Sequence, residues 1–108
     1  MSVQDDIKST VEGHKIVLYM KGSPMMPQCG FSATVVQIFR ELGAPIHTVN
    51  VLADATVREG IKAFTQWPTI PQIFIDGKFI GGCDIVKDLH ASGELKKLVE
   101  AAGVPSKA

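Results

Sequence analysis

The sequence has few of the features that mark secreted, membrane-spanning or nucleic-acid-binding proteins. It contains only 2 cysteines in 108 residues, too few for the disulfide framework of a small secreted domain. Both thiols are therefore expected to be free, in a reducing compartment. The longest apolar runs, such as Ile16 to Met20, are far shorter than the roughly 20 residues that a membrane span needs. Basic and acidic residues balance at 11 each, which argues against binding to nucleic acid or to an anionic membrane.

The first residues do not have the composition that is typical of a targeting signal. Residues 1–6 contain no basic stretch followed by an apolar one, and their two acidic residues argue against an organelle presequence. We expect a cytosolic protein, although a mitochondrial or plastid protein with a removed presequence would look the same. The length and the 45% apolar content predict one domain over residues 1–108, with a frayed tail at 103–108.

The periodicity of apolar residues predicts an α/β fold. Helices are predicted at 3–11, 30–42, 55–65, 85–90 and 94–102, and strands at 16–20, 46–51, 72–75 and 78–80. Asp76-Gly77 predicts a two-residue hairpin turn of type I′, and Asp54 and Asp84 are the predicted N-caps of their helices. Because a helix links the first two strands, these should be parallel through a right-handed crossover. The expected result is a four-stranded mixed sheet flanked by helices on both faces.

Cys29 is the main candidate for chemistry. It lies in Cys29-Gly30-Phe31-Ser32, after a proline-containing loop and before a predicted helix. The free N–H groups of a helix start favour a thiolate, and Lys21 at the strand end would add positive charge. A Cys-x-x-Cys redox site would have its second sulfur where this chain has Ser32, so Cys29 cannot close a local disulfide. The alternatives are a buried unreactive cysteine and a solvated lysine.

Two further segments suit ligand binding. Trp67-Pro68-Thr69-Ile70-Pro71 cannot be helical, because each proline restricts the residue before it to extended conformations. Gly81-Gly82-Cys83-Asp84 places flexible backbone and a carboxylate at another helix start, where N–H groups bind an anion and the Asp84 carboxylate can accept from an ammonium group. Asp84 could instead serve only as an N-cap.

These motifs, in this order, identify a family resemblance. Four segments carry it: Lys21, Cys29-Gly30-Phe31-Ser32, Trp67-Pro68-Thr69-Ile70-Pro71-Gln72 and Gly81-Gly82-Cys83-Asp84. Over residues 3–102 the chain closely resembles the single-domain monothiol glutaredoxins of the CGFS type. The resemblance implies a thioredoxin fold.

The resemblance also implies a glutathione site around Cys29. Ile70-Pro71 resembles the cis-proline turn of this fold, whose backbone N–H and C=O groups can pair with an extended tripeptide; a plain trans turn is the alternative. The Gly82, Cys83 and Asp84 segment would hold the γ-glutamyl end. Arg58 and Lys62 could meet the glycine-end carboxylate, or could form an ordinary solvated helix face.

The remaining aromatic, cysteine and histidine residues have less specific roles. Phe31 and Trp67 are expected to form walls of the site. Cys83 could present its backbone N–H to the ligand, while its sulfur is either a small buried apolar group or a partner for Cys29 under oxidation. The histidines, at 14, 47 and 90, lack ligand spacing, so metal binding by them is not expected.

Two chemical functions suit a single thiolate beside a glutathione site. Cys29 from two protomers and two glutathione thiolates would supply the four sulfurs of a [2Fe-2S] cluster. The resemblance accordingly implies an iron-sulfur carrier that forms a homodimer around the cluster, pairs with BolA-like partners and supplies apo iron-sulfur proteins. The second function is a glutathione-dependent thiol-disulfide oxidoreductase, of weak activity, that removes glutathione from proteins. A third hypothesis is an interaction module in which the thiol is incidental.

Overall fold

The computed structural model describes residues 2–104. Its elements in chain order are α1 (Val3–Gly13), β1 (Ile16–Met20), α2 (Gly30–Leu42), β2 (His47–Asn50), α3 (Ala55–Thr65), β3 (Gln72–Ile75), β4 (Lys78–Gly81), α4 (Cys83–Ser92) and α5 (Glu94–Ala101). Every predicted helix and strand is present, with boundaries that differ from the prediction by two residues or fewer. Within residues 2–104, no helix combines the length and the apolar character that crossing a membrane requires.

The four strands form one mixed sheet in the order β2-β1-β3-β4. Strands β1 and β2 are parallel, with Val17 opposite His47, and β3 pairs antiparallel with both β1 and β4. The turn between β3 and β4 has φ of 53° at Asp76 and 78° at Gly77. Two positive φ values are what a type I′ turn requires, so the predicted hairpin is confirmed. The predicted parallel pairing of the first two strands and the four-stranded mixed sheet are confirmed as well.

Apolar side chains fill both faces of this sheet. Helices α1 and α3 cover one face through a cluster that includes Ile7, Val11 and Ile61. Helices α2, α4 and α5 cover the other face through a larger cluster. All residues of β1 and β3 are buried, which explains their continuous apolar sequence. From the carboxyl end of β1 the chain runs through a loop to the start of α2, where Cys29 lies.

The start of α4 corrects one prediction. Asp84 is not the N-cap: Gly82 takes that position with φ −100° and ψ −161°, and Asp84 lies in the first helical turn. The helix begins early because the extended Gly82 backbone already supplies the capping conformation, without a side-chain bond. As a result, the Asp84 carboxylate lies in the first turn of α4 instead of capping it.

The C-terminal segment also differs from the prediction. Val104, expected in the frayed tail, is only 6% exposed and belongs to the larger core cluster. Its N–H donates to the Val99 carbonyl at 3.2 Å, and Gly103 makes this turn possible with φ of 84°. The chain is thus held to its core through Val104, and the rest of the predicted tail, 105–108, lies outside the described residues.

Candidate functional site

A closed loop between β1 and α2 brings Cys29 to the helix start. The Gln28 N–H donates to the Lys21 carbonyl at 2.9 Å, which joins the two ends of the loop. Gly22 has φ of 91°, and a Cβ there would lie 2.5 Å from the Met26 carbonyl oxygen. Asn50 at the end of β2 accepts from the Gly22 N–H at 2.9 Å. The loop therefore depends on a glycine at position 22 and is fixed to the sheet on both sides.

Cys29 is itself the N-cap of α2 and is partly exposed. The pKa of its thiol is lowered, chiefly by the backbone N–H of Ser32; burial opposes this, and the N–H of Phe31, the charge of Lys21 and the Ser32 hydroxyl add to the lowering. These are the free donors of the first helical turn acting on a sulfur at the cap position. The predicted thiolate character of Cys29 is therefore supported by the local geometry.

Ser32 is fully buried beneath Cys29. Its hydroxyl accepts a hydrogen bond of 3.1 Å from the Lys21 backbone N–H, so it joins the end of β1 to the first turn of α2. The residue that replaces a second sulfur thus has its own structural function. Sequence analysis treated Ser32 only as a missing thiol and did not predict this contact.

All of the predicted site residues line one cleft of about 570 Å³, a volume typical of small-molecule sites. The predicted residues that line it are Lys21, Cys29, Phe31, Arg58, Lys62, Ile70, Pro71, Gly82, Cys83 and Asp84. Trp67, Pro68, Thr69 and Ile85 complete the lining. The side chains come from the loop before α2, from α3, from the segment before β3 and from the start of α4. The cleft therefore joins the four sequence motifs in one place.

The cleft carries charges of both signs. Lys21 and Arg58 form no ion pair with the part of the chain that the structure describes, whereas Lys62 lies 3.6 Å from Glu59 on the same helix. The Nε atom of Arg58 is buried without a hydrogen-bond partner among the described residues. The carboxylate of Asp84 likewise forms no ion pair with a side chain of residues 2–104. A ligand with carboxylates at one end and an ammonium group at the other would complement these groups.

The Ile70–Pro71 peptide bond is cis, as the resemblance implied, and both residues line the cleft. Trp67 forms another part of the wall, and its ring meets the ring of Phe79 edge to face at 5.7 Å. A Cβ at Gly82 would lie 3.3 Å from the Trp67 Nε1 atom and 3.3 Å from the Pro71 carbonyl oxygen. Glycine at position 82 therefore lets the α4 start approach this wall closely.

Cys83 is the second thiol of the cleft. It is only 8% exposed, and the pKa of its thiol is raised, mainly by burial and further by the charges of Asp84 and Cys29, with Lys87 acting in the opposite direction. Within residues 2–104, no group of three or more His, Cys, Asp or Glu side chains could hold a metal ion.

Gln72 is a buried polar residue of the site region that sequence analysis cited only as part of a motif. It is 0% exposed at the start of β3, next to the loop that contains the cis bond. The signal was present in the sequence, because a glutamine that opens the apolar run Gln72-Ile73-Phe74-Ile75 requires buried hydrogen-bond partners.

Known proteins resemble this chain in sequence over most of its length. The sequence model of the family described as "Glutaredoxin" matches residues 16–80. A protein of Synechocystis named as an uncharacterized monothiol glutaredoxin is 50% identical, over 89% of this chain and 90% of that protein. The mitochondrial glutaredoxin-related protein 5 of Danio rerio is 47% identical, over 95% of this chain and 67% of that protein.

Solved structures resemble it in fold. A monomeric truncated mutant of Trypanosoma brucei 1-C-Grx1 superposes with a TM-score of 0.89 at 36% identity, covering 100% of this chain and 98% of that one. A buckwheat glutaredoxin in complex with glutathione superposes with a TM-score of 0.85 at 26% identity, covering 95% of this chain and 92% of that one. The four-stranded sheet with helices on both faces is thus a thioredoxin fold, and the chain belongs to the glutaredoxin family, with the monothiol glutaredoxins among its relatives.

Proposed function

We propose that the protein is a glutathione-binding carrier of [2Fe-2S] clusters, in which Cys29 of two protomers and the thiols of two glutathione molecules hold the cluster. The observation that carries this proposal is the single accessible thiol at the mouth of a charged cleft. Cys29 is partly exposed at a helix start, whereas the only other cysteine is buried. The cluster is cargo that the protein receives and passes on.

Glutathione fits the charges of the cleft. Its two carboxylates and one ammonium group complement the cations Lys21, Arg58 and Lys62 and the unpaired carboxylate of Asp84. The backbone N–H groups at the start of α4 can also donate hydrogen bonds to a carboxylate. The buckwheat relative with this fold was solved as a complex with glutathione, which supports the same ligand here.

The number of sulfur ligands favours a shared cluster. A [2Fe-2S] cluster takes four thiolates, and one protomer with its bound glutathione would offer two. The absence of a suitable metal-binding group within residues 2–104 agrees with this count. We therefore propose a homodimer when the cluster is bound, and exchange of one protomer for a BolA-like partner or an apo iron-sulfur protein during transfer.

A second function is favoured by the lowered pKa of Cys29. The thiolate can attack the glutathione sulfur of a glutathionylated protein, which breaks that disulfide and releases the protein thiolate to take up a proton. A second glutathione thiolate then attacks the Cys29–glutathione disulfide, giving oxidised glutathione and free Cys29. In the net reaction one free glutathione thiol is consumed: the protein sulfur is reduced to a thiol, and the two glutathione sulfurs end as the disulfide of oxidised glutathione. Robust turnover of a small glutathione mixed disulfide would support this function.

A pair of cysteine variants tests the carrier function. Under anaerobic reconstitution with iron, sulfide and glutathione, we expect Cys29→Ser to remain colourless and Cys83→Ser to take up iron as the wild type does. Iron and sulfide per chain, together with visible absorbance, measure the outcome. Equal cluster content in wild type and Cys29→Ser would contradict the proposal. Intact partner binding and cellular function in Cys29→Ser would instead favour the interaction-module hypothesis.

A further inference from the structure

Gln72 connects the cleft wall to the sheet through its side-chain amide, in which both the nitrogen and the oxygen form hydrogen bonds. Its Nε2 atom donates to the Trp67 carbonyl at 2.9 Å and to the Thr69 carbonyl at 3.1 Å. Its Oε1 atom accepts from the Thr65 hydroxyl at 2.8 Å. Because carbonyl oxygens only accept, the NH₂ end of the amide must face the loop, which fixes the orientation of the side chain.

The backbone of Gln72 is fixed as well. It pairs with Tyr19 of the central strand β1, and its side chain is fully buried. The same network holds Trp67 from a second side, because the Trp67 N–H donates to the Thr65 hydroxyl at 3.2 Å. The loop carbonyls are therefore held against a rigid strand rather than against solvent.

The contact at Thr69 determines where the next N–H points. Across a trans peptide bond the C=O and the N–H lie on opposite sides, and the Thr69–Ile70 bond is trans, since the cis bond of this segment is Ile70–Pro71. With the Thr69 carbonyl turned toward Gln72, the Ile70 N–H points away from Gln72. Ile70 lines the cleft, and its N–H has no hydrogen-bond partner in the part of the chain that the structure describes.

We propose that Gln72 is a positioning residue for the tripeptide ligand: its amide holds the Thr69–Ile70 peptide plane so that the Ile70 N–H is presented to a backbone carbonyl of glutathione. Gln72 acts through Ile70 and does not touch the ligand. This inference rests on the proposed function, since it assumes that glutathione is the ligand. It adds a buried residue behind the cleft wall as a determinant of affinity.

The test compares ligand binding in full-length apo protein and two variants. The probe is S-methylglutathione, which keeps the tripeptide but cannot form a disulfide or bind a metal as a thiolate. The variant Gln72→Met keeps the length of the side chain and removes its donors. The control Ile61→Val removes one methylene from a fully buried side chain of the core cluster on the α1 and α3 face. It keeps the Ile61 carbonyl, which accepts from the Thr65 hydroxyl at 3.1 Å. Thermal unfolding confirms which variants are folded at the temperature of the titration.

Affinity and amide resonances in nitrogen-15 NMR spectra give the result. In the wild type and in Ile61→Val, we expect S-methylglutathione to shift the amide resonances of Ile70, Cys83 and Asp84. In Gln72→Met, we expect about tenfold weaker binding, the loss expected for one misplaced hydrogen bond. At saturation the Ile70 shift should be lost while those of Cys83 and Asp84 remain. A general loss of stability would not remove the shift at Ile70 alone.

A second variant covers the case in which Gln72→Met does not fold. Gln72→Glu has the same shape, keeps the acceptor for Thr65 and can donate to a loop carbonyl only when its carboxyl is protonated. Its affinity for S-methylglutathione should therefore rise as the pH falls below neutrality, unlike that of the wild type. Unchanged affinity together with an unchanged Ile70 shift in a folded Gln72 variant would overturn this inference alone. A wild type that does not bind the probe would overturn the proposed function as well.

Discussion

At the scale of single residues, the site depends on the pair formed by Cys29 and Ser32. The sulfur lies at the cap of α2, and its pKa is lowered first of all by the Ser32 N–H, with a smaller contribution from the Ser32 hydroxyl. The same hydroxyl accepts from the Lys21 N–H. Serine at this position therefore stabilises the thiolate and the β1–α2 junction, and it leaves Cys29 without a local disulfide partner.

Replacing Ser32 with alanine tests this role. The Ser32→Ala variant keeps the backbone N–H but loses the hydroxyl, so we expect the pKa of Cys29 to rise toward the usual cysteine value. The rate of alkylation by iodoacetamide, measured against pH with Cys83 replaced by serine, should then reach half of its maximum at a higher pH than in the matched parent.

Ser9→Ala is the control for this measurement, since Ser9 is exposed on α1, away from the cleft residues. Its alkylation profile should match that of the parent. Identical profiles for Ser32→Ala and Ser9→Ala would show that the hydroxyl does not act on the thiolate.

At the scale of elements, the backbone conformation of the loop between β1 and α2 restricts which residue can occupy position 22. Gly22 combines a positive φ with backbone atoms so close that a Cβ would lie 2.5 Å from the Met26 oxygen and 2.7 Å from the Gln28 nitrogen. Contacts this short cannot be relieved by a side-chain rotation. The loop must open if any other residue replaces this glycine.

Gly22→Ala should therefore destabilise the protein more than the same change at Gly77, which has φ of 78° and open space around its Cβ position. We expect the Gly22 variant to lose about 1–3 kcal/mol more in its free energy of unfolding, measured by urea denaturation. The dependence of the Cys29 alkylation rate on pH should also differ from that of the parent, because the loop positions the helix start. Equal losses for the two variants would contradict the steric argument.

A stacked histidine pair links α1 to β2. His14, the C-cap residue of α1, lies parallel to His47, with ring centroids 3.8 Å apart. Burial lowers the pKa of His47, and the charge of His14 lowers it further. The fold thus favours neutral His47, so the stability that His47 contributes is present above its unfolded-state pKa and is lost as the pH falls through the folded-state pKa.

The unfolding midpoint should accordingly decrease as the pH is lowered from about 7.5 to about 5.5, followed by circular dichroism. His47→Gln should show a smaller decrease over this range, because it lacks the imidazole whose pKa is lowered in the fold. The pair formed by His90 and Glu41, 3.1 Å apart, is the same in both proteins and so does not contribute to the difference between them. A decrease of the same size in both proteins would exclude His47 as its source.

At the scale of the whole molecule, the sequence was sufficient for the sheet and for the members of the cleft. Apolar runs in β1 and β3 and the Asp76-Gly77 turn are local signals, and each is present in the structure as predicted. Asp54 likewise caps α3 by accepting from the Thr56 N–H at 2.8 Å. Each of these features depends on residues that are close together in the chain, so the local sequence pattern is enough to predict it.

What the sequence did not predict depends on contacts between distant segments. The packing of Val104 on the core and the hydroxyl bridge from Ser32 to Lys21 both require the tertiary arrangement. Asp84 was predicted to be the N-cap because aspartate is a common capping residue. In the structure the extended backbone of Gly82 takes the N-cap position, so the helix begins at Cys83. Local preference alone could not decide between the two positions.

The central claim is that a dimer holds one cluster with a ligand set taken from two chains and two glutathione molecules. Native mass spectrometry of the anaerobically reconstituted protein tests it most directly, because it reports chains, iron, sulfide and glutathione in a single mass. For the wild type we predict a species of two chains, two irons, two sulfides and two glutathione molecules. For Cys29→Ser we predict the apo monomer instead. A cluster-bearing monomer, or a cluster-bearing dimer that forms without glutathione, would contradict the account.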